Sequence, residues 1–538
     1  MIMTDFTVLP PSRGDPPSFK GVALLQDRWN DYSFMTQYHL VVSVPEFNGL
    51  IGAVKILRRG QTESDDLQLA TGPLSPLGED FVSLGQELDY YERLAGLPEA
   101  LRQEILAFLR DALAFPQHAE TFVTEKGWAT SILRYIDWAT FRRDAAVLLD
   151  RDYDRVARLG LEVSFHVEGW VDPLRIDFKA PNGHLFWDTS VLPERIAVLI
   201  GRNGSGKSTL LSRLARVLHA SQRERASEPL KALGAISPLG IGFTRIVNVA
   251  YSAFDAFQLP GVDYRERKQI VDDLERGVGR YHYCGLRDIA SEVRQAEGIG
   301  DIDGTPIKAQ DLDRQERIIL KTSEQLSNEF GAIVLRIKES GRENLFNEVC
   351  RVLASDSSFI DLGADPAASI FEYAVPWFRI WSTGHKIVMH AVASLVAYTE
   401  PKSIVLIDEP ESHLHPPLLA ALMHAVRIIL RQNDAFAVIA THSPVVVQET
   451  LSRHIAIVRR SGAEIRIFSP RIETYGESIG EVTNEIFGLN ADATDFHSVL
   501  AQLVDTGLSL ENIEGMFERG LSLQARAFVM TKLASKKT

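Results

Sequence analysis

The chain has 538 residues, 45% of them hydrophobic and 24% charged, with a formal net charge of −14. That length exceeds one ordinary core and the composition is that of a folded globular protein, which excludes a single small domain, a largely disordered chain and a surface basic on every side. Cys284 and Cys350 are the only cysteines, which excludes a disulfide framework or a cysteine-rich zinc site. The N-terminus has no charged start ahead of an apolar run, and no stretch nears ~20 uninterrupted apolar residues. A cytoplasmic protein with no membrane span is expected.

Residues 1–155 read as an N-terminal α+β accessory region. His39–Val44 and Leu50–Leu57 are β-branched and apolar with turn residues between them, a hairpin pattern. Leu101, Ile105, Leu109 and Leu113 recur every fourth residue and predict one apolar helix face. Residues 156–261 turn to strands: Leu161–Val167 with Leu174–Phe178 as a hairpin, then Arg195–Ile200 running into a glycine-rich turn and a helix from Lys207. Residues 262–375 are charged and helix-rich, including Glu324–Glu339 and Asn344–Ala354, and read as a helical insertion. In 376–470 strands return at Ile404–Ile407 and Phe436–Ala440, with the helix Leu418–Leu430 between them, and 471–538 reads as a C-terminal helical region suited to partner contact. Strand and helix alternation of this kind predicts an α/β fold with a parallel sheet flanked by helices.

Gly201-Arg202-Asn203-Gly204-Ser205-Gly206-Lys207-Ser208 fits the phosphate-loop pattern G-x-x-x-x-G-K-[ST] in full, between a predicted strand and a predicted helix. Its glycines let backbone N–H groups curl around phosphate, Lys207 should reach the β- and γ-phosphates, and the Ser208 hydroxyl should ligate Mg²⁺. The helix start adds its positive end to the same anion. The expected ATP-binding set is therefore Gly201, Asn203, Gly204, Ser205, Gly206, Lys207, Ser208 and Thr209. Ile404–Ile407 then delivers Asp408 and Glu409 at its C-terminal end, where ligands bind in α/β sheets. Asp408 suits a partner of Mg²⁺, through a water or Ser208, and Glu409 suits the general base. Two adjacent carboxylates ending a buried strand would be costly without a cation.

From these residues onward the chain resembles the ABC-type ATPases. Ser382-Thr383-Gly384-His385-Lys386, after Trp381, resembles their signature motif, and Thr441-His442-Ser443 resembles their switch region. The resemblance implies that Ser382 and Gly384 bind a γ-phosphate held by a second copy, so that ATP sites complete only in a homodimer. It implies that His442 contacts and senses that phosphate. Taken alone, Ser382 reads as a helix cap. Glu411-Ser412-His413-Leu414-His415-Pro416 stands where the family has a dimer-contacting loop, and no metal role is assigned to His413 or His415. The family's glutamine loop maps to Tyr251–Gln258, with Gln258, Ser252 and Asp255 as candidates, and Phe186 or Trp187 could stack on adenine.

The run Asp408-Glu409-Pro410-Glu411-Ser412-His413-Leu414-His415-Pro416 resembles the soluble RecF, SMC-like and overcoming-lysogenization-defect branch. Trp29-Asn30-Asp31-Tyr32, Gly52-Ala53-Val54-Lys55-Ile56, Leu84-Gly85-Gln86 with Tyr90-Tyr91, Tyr475-Gly476-Glu477-Ser478-Ile479-Gly480 and Glu485-Ile486-Phe487-Gly488-Leu489 resemble the PtuA ATPases of Septu and retron-associated anti-phage systems. That resemblance implies an ATPase, not itself a nuclease, partnered with an HNH nuclease of the PtuB kind, with a retron reverse transcriptase and its RNA–DNA as a further partner. The other reading is a DNA-repair ATPase that binds DNA itself. Its surface would come from Arg265, Arg267, Lys268, Arg276, Arg280 and Arg287 with Tyr281 and Tyr283, against a solvated helix face balanced by Asp272, Asp273 and Glu275.

Overall fold

The computed structural model describes residues 4–11, 18–30, 33–45, 47–153, 161–178, 192–253, 255, 257–261, 264–295, 318–360, 366–462, 464–487 and 495–535. The N-terminal lobe is built on a six-stranded mixed sheet, in the order Gly72–Pro73, Phe6–Leu9, Gly21–Gln26, Gln37–Val44, Phe47–Arg58, Phe81–Gly85. Gln37–Val44 and Phe47–Arg58 form the antiparallel hairpin that their alternation predicts, with a register shift between Leu40 and Val41. The helices Leu88–Ala95, Glu99–Phe108 and Trp138–Asp150 cover it and share one core, including Tyr38, Leu40, Val54, Ile56, Tyr90 and Ile105. The predicted helix face through Leu113 is cut short: the helix ends at Phe108 and Arg110 turns left-handed (φ 52°), so Leu113 lies beyond it. The Leu84-Gly85-Gln86 and Tyr90-Tyr91 motifs pack on each other. The Gly85 N–H donates to the Tyr91 hydroxyl at 3.0 Å, and a Cβ at Gly85 would fall 2.2 Å from the Tyr90 ring.

The main body is built on a seven-stranded sheet ordered Tyr281–Gly285, Ile246–Ala250, Ile404–Asp408, Phe436–Thr441, Ile196–Ile200, Ile455–Ser461, Glu464–Phe468. The first six run parallel and the last is antiparallel. Every residue of the four strands from Ile246–Ala250 to Ile196–Ile200 is buried, because helices cover both faces of a parallel sheet. Successive residues serve opposite cores. Val198, Ile200, Val405 and Ile407 join the helices Thr383–Tyr398 and Pro416–Gln432, while Ala197, Leu199, Ile404 and Leu406 join Lys207–His219. A smaller antiparallel sheet, Ala235–Ser237, Glu162–His166, Leu174–Asp177, packs into the second core. Helices Ser323–Glu339 and Glu343–Leu353 fall where the sequence predicts them. The stretch read as a helical insertion also supplies a strand, Tyr281–Gly285, to the edge of the main sheet. Charged helices on either side hide that short aromatic strand from a periodicity reading.

The lobe is tied to the core by buried ion pairs. Arg280 donates to Asp89 from Nε and Nη2 at 3.0 and 2.8 Å, Arg245 to Glu92 at 2.6 Å, Arg93 to Asp273 at 2.9 Å, and Lys402 to both Asp144 oxygens at 2.8 and 2.9 Å. Burial pushes the Asp89 carboxyl up, but the charges of Arg280, His219 and Arg93 outweigh it and hold the group well below the usual range. These pairs dismantle the basic surface expected on 265–287. Arg280, Tyr281 and Arg287 are buried, Arg287 bonds Glu292, and Arg276 lies over the Phe47 ring at 4.9 Å. Arg265, Lys268 and Arg276 of the six cations stay exposed, and Arg267 is half-buried. The carboxylates that bury Arg280 and Arg276's neighbour Asp273 come from, or pair with, the distant lobe, which a window on the local sequence cannot see.

At the C-terminal end, Ile479–Phe487 packs through Val482 and Ile486 into the main core. Helices Asp495–Asp505, Leu510–Glu514 and Leu523–Ser535 close a small core of Leu500, Val504, Ile513 and Val529. Among the described residues no helix is long and apolar enough to cross a membrane.

Candidate nucleotide site

Strand register brings three motifs to one edge. Ala250, Asp408, Ala440 and Leu199 are successive cross-strand partners, and Thr441 pairs with Ile200. Gly201, Glu409 and His442 therefore leave the sheet side by side at its C-terminal edge, the ligand edge of α/β sheets. In the loop, Gly204 and Gly206 have φ of 77° and 98°, which a side chain rarely adopts, and a Cβ at Gly201 would strike the Val458 carbonyl at 2.3 Å. Lys207 opens the helix Lys207–His219, and its Nζ donates to the Gly201 and Arg202 carbonyls at 2.9 and 3.2 Å. Burial lowers the Lys207 pKa, opposed by Glu409, Asp408 and Glu411. The Ser205 hydroxyl is buried without a hydrogen-bond partner. Asn203 is exposed and Thr209 half-buried.

Ser208 Oγ donates to Asp408 Oδ1 at 3.0 Å. Burial pushes Asp408 up to about 7, with Glu409 and Asp255 adding repulsion and Ser208 and Lys207 pulling the other way. A buried acid crowded by two further carboxylates, with a serine hydroxyl already turned onto it, is a donor set that fits a hard divalent cation such as Mg²⁺. Glu409 holds a left-handed backbone (φ 46°), fixed by its N–H on the Ala440 carbonyl at 2.8 Å. Its carboxylate lies 3.9 Å from His442 Nδ1.

Glu411 is a site residue that motif reading did not single out. One of its oxygens accepts from Thr441 Oγ1 at 2.7 Å, from the His442 N–H at 2.7 Å, and stands 2.9 Å from His442 Nδ1. It thus fixes both the backbone and the ring of His442. The acidic residue two places after Glu409 was the available signal.

Ser382 caps the helix Thr383–Tyr398, as its residue type predicts, accepting from the His385 N–H at 3.3 Å. It is exposed, with Ile380 beside it 70% exposed. Gly384 packs on the loop after Glu409: a Cβ there would lie 3.1 Å from the His413 carbonyl. His415 faces Asp356 at 3.5 Å. Asp255 is buried, near Arg287 at 3.8 Å and accepting from the Phe257 N–H at 2.9 Å, while Ser252 and Gln258 are half-buried. Phe186 and Trp187 lie outside the described residues. Trp170, in the turn joining Glu162–His166 to Leu174–Asp177, is the aromatic beside the phosphate loop, 3.7 Å from a Cβ built on Gly206.

A mostly parallel core sheet with a glycine loop, a paired-carboxylate strand end and a histidine strand end on one edge is the fold of a P-loop ATPase of the ABC type. A family model described as "AAA domain, putative AbiEii toxin, Type IV TA system" matches residues 196–448, from the strand before the phosphate loop to the helix after His442. Protein ea59 of Escherichia phage lambda is 31% identical over 554 residues, covering 99% of each chain, and this chain belongs to its family. Among solved structures, the ADP conformation of an ATP-binding cassette of an ABC transporter is 15% identical, covering 60% of this chain and 94% of that one at a TM-score of 0.25. An Smc head bound to the C-winged helix domain of ScpA is 11% identical, covering 57% and 96% at a TM-score of 0.26.

Proposed function

We propose that the chain hydrolyses ATP at two sites completed across a homodimer, and that this cycle controls a separate HNH nuclease in anti-phage defence. The observation that carries the ATPase part is the convergence of Lys207, Ser208, Asp408, Glu409 and His442 on one sheet edge, with the Ser208–Asp408 bond at 3.0 Å. In this reading Lys207 and the loop amides bind the β- and γ-phosphates. Glu409 takes a proton from the water whose oxygen attacks the γ-phosphorus, and the bond to the bridging oxygen breaks to release ADP and phosphate. Ser208 and Asp408 would hold Mg²⁺, directly or through water, and the ion would supply charge that offsets the phosphates. His442, gripped by Glu411, contacts the γ-phosphate, and Trp170 offers a flat face for the base. Ser382 and Gly384 complete the site of the other copy.

The defence role rests on the PtuA-like motifs at both ends of the chain, and the family model's description of a putative toxin accords with it. The DNA-repair alternative loses part of its support, since Arg280, Tyr281 and Arg287 are buried while Arg265, Lys268 and Arg276 stay exposed. The test is a pull-down of the chain from its native host with and without ATP, followed by mass spectrometry and nuclease treatment. A stoichiometric HNH protein is the expected result. DNA alone, with no nuclease, would refute the defence reading and restore the repair one.

A further inference from the structure

A polar relay runs from the signature serine into the chain's own interior. Ser382 Oγ lies 3.0 Å from His385 Nδ1, and His385 Nε2 lies 2.9 Å from Ser358 Oγ. Ser358 in turn donates both its N–H, at 2.9 Å, and its hydroxyl to Asp356 Oδ1. His415, at the N-cap of Pro416–Gln432, faces the same Asp356 oxygen at 3.5 Å. Asp356 and His385 are buried, with the Phe359 ring against the imidazole at 4.2 Å, whereas Ser382 is exposed.

Donor and acceptor counting fixes the polarity of this chain. Ser358 has one hydroxyl proton, and Asp356 takes it. Ser358 Oγ can then only accept from His385, so Nε2 carries a proton. With His385 neutral, Nδ1 is a lone pair that accepts the Ser382 hydroxyl proton. Ser382 then turns only oxygen lone pairs outward, the wrong polarity for a phosphate. With a proton on Nδ1 the bond reverses: Nδ1–H donates to Ser382 Oγ, and the Ser382 O–H is free to donate outward.

We propose that His385 is the positioning residue of the signature serine, and that engagement of a partner copy's γ-phosphate takes up one proton from solvent onto His385 Nδ1 at each site. The inference rests on the shared-site reading above. Burial lowers the His385 pKa, the Asp356 charge opposes this and the His415 charge adds to it, and among the described residues these two are the titratable groups that act on the ring. The resting ring is thus neutral, with its Ser382 partner turned inward. An approaching phosphate supplies the negative charge that favours the imidazolium.

The test uses full-length chain carrying Glu409→Gln, with ATP-dependent dimerisation measured by sedimentation between about pH 6 and pH 8. The dimerisation constant should fall as pH rises, by up to ~100-fold per pH unit for two protons per dimer. His385→Asn places a non-titrating amide N–H where Nδ1–H would be, so its dimer should form with that slope removed, even if the lost Ser358 bond and Phe359 contact lower the thermal midpoint. His385→Gln, which mimics Nε2 instead, should weaken dimerisation about 100-fold, roughly tenfold for the hydrogen bond to a charged group lost at each of the two sites, while monomer ATP affinity stays parental. A parental pH slope in His385→Asn would overturn the proposal alone. If Ser382→Ala dimerises like the parent, or the Glu409→Gln chain forms no ATP-dependent dimer, the shared-site reading fails and takes this proposal with it.

Discussion

Glu411→Gln is the substitution that isolates the grip on His442. The carboxylate oxygen that serves Thr441 Oγ1, the His442 N–H and His442 Nδ1 is matched by a second oxygen that is buried without a partner. A glutamine can keep its carbonyl oxygen in the first place and put its NH₂ in the second, so shape survives and charge is lost. A hydrogen bond to a charged group contributes about 1.5–3 kcal/mol and a neutral one about 0.5–1.5 kcal/mol. The three contacts share one oxygen and do not add, so exchanging the charged bond for a neutral one leaves a loss of roughly 1–1.5 kcal/mol in holding the histidine. If that hold is needed in the transition state, kcat should drop about 5- to 12-fold, at ~1.4 kcal/mol per decade. Binding of ATP should change little, because Lys207 and the glycine loop are untouched. Steady-state phosphate release gives kcat and KM, and calorimetry gives ATP affinity. Should Glu411→Gln keep kcat within about twofold of the parent while His442→Ala loses it, the grip on His442 has no part in turnover.

Lys207→Ala should abolish measurable ATP binding by calorimetry, and unchanged affinity would refute the phosphate-loop assignment. Glu409→Gln should bind ATP yet stall, accumulating as a dimer on a sizing column; parental turnover would move the general base elsewhere. Asp89→Ala leaves the Arg280 guanidinium, 3% exposed, without its carboxylate, which should cost about 3–5 kcal/mol in urea unfolding, and a loss below about 1 kcal/mol would deny the lobe its clamp. A pH signature comes from His390 and Glu329, which face each other at 3.8 Å. Burial lowers His390 but Cys284 and Glu329 raise it to about 9, and burial raises Glu329 but His390 and Lys321 lower it to about 2. The histidine's contribution is therefore complete below its ordinary value of 6.5 and fades as pH rises toward 9, while the glutamate's is complete above 4.5 and fades as pH falls toward 2. Thermal midpoints should decline between those alkaline limits in the parent and much less in His390→Gln; identical declines would sink the pairing.

What was legible in the sequence was what depends on neighbours in the chain. Eight consecutive residues, Gly201–Ser208, make a phosphate loop because glycine conformation and helix start are local properties. Ile404–Asp408 and Phe436–Thr441 announce themselves because a strand buried on both faces must be apolar throughout. What was hidden depends on residues far apart. Arg280 reads as a surface cation until Asp89, on the other lobe, neutralises it. Trp170 sits in an unremarkable turn and meets Gly206 only after the small sheet folds over the loop. Glu411 looks like loop acidity until strand order sets Thr441 and His442 against it.

The two edges of the core sheet have opposite tasks, and the charges show the division. Arg245 and Arg280 immediately precede the strands Ile246–Ala250 and Tyr281–Gly285, and Lys402 shortly precedes Ile404–Asp408, so three of the four anchoring pairs meet the N-terminal edge; the fourth, Arg93 with Asp273, lies on the helix Tyr264–Arg276. Gly201, Glu409 and His442 leave the C-terminal edge. A second copy can therefore approach the nucleotide edge without displacing the lobe. Leaving an ion unpaired at the anchored edge would cost several kcal/mol, whereas Gly201, Glu409 and His442 at the nucleotide edge stand on loops after their strands.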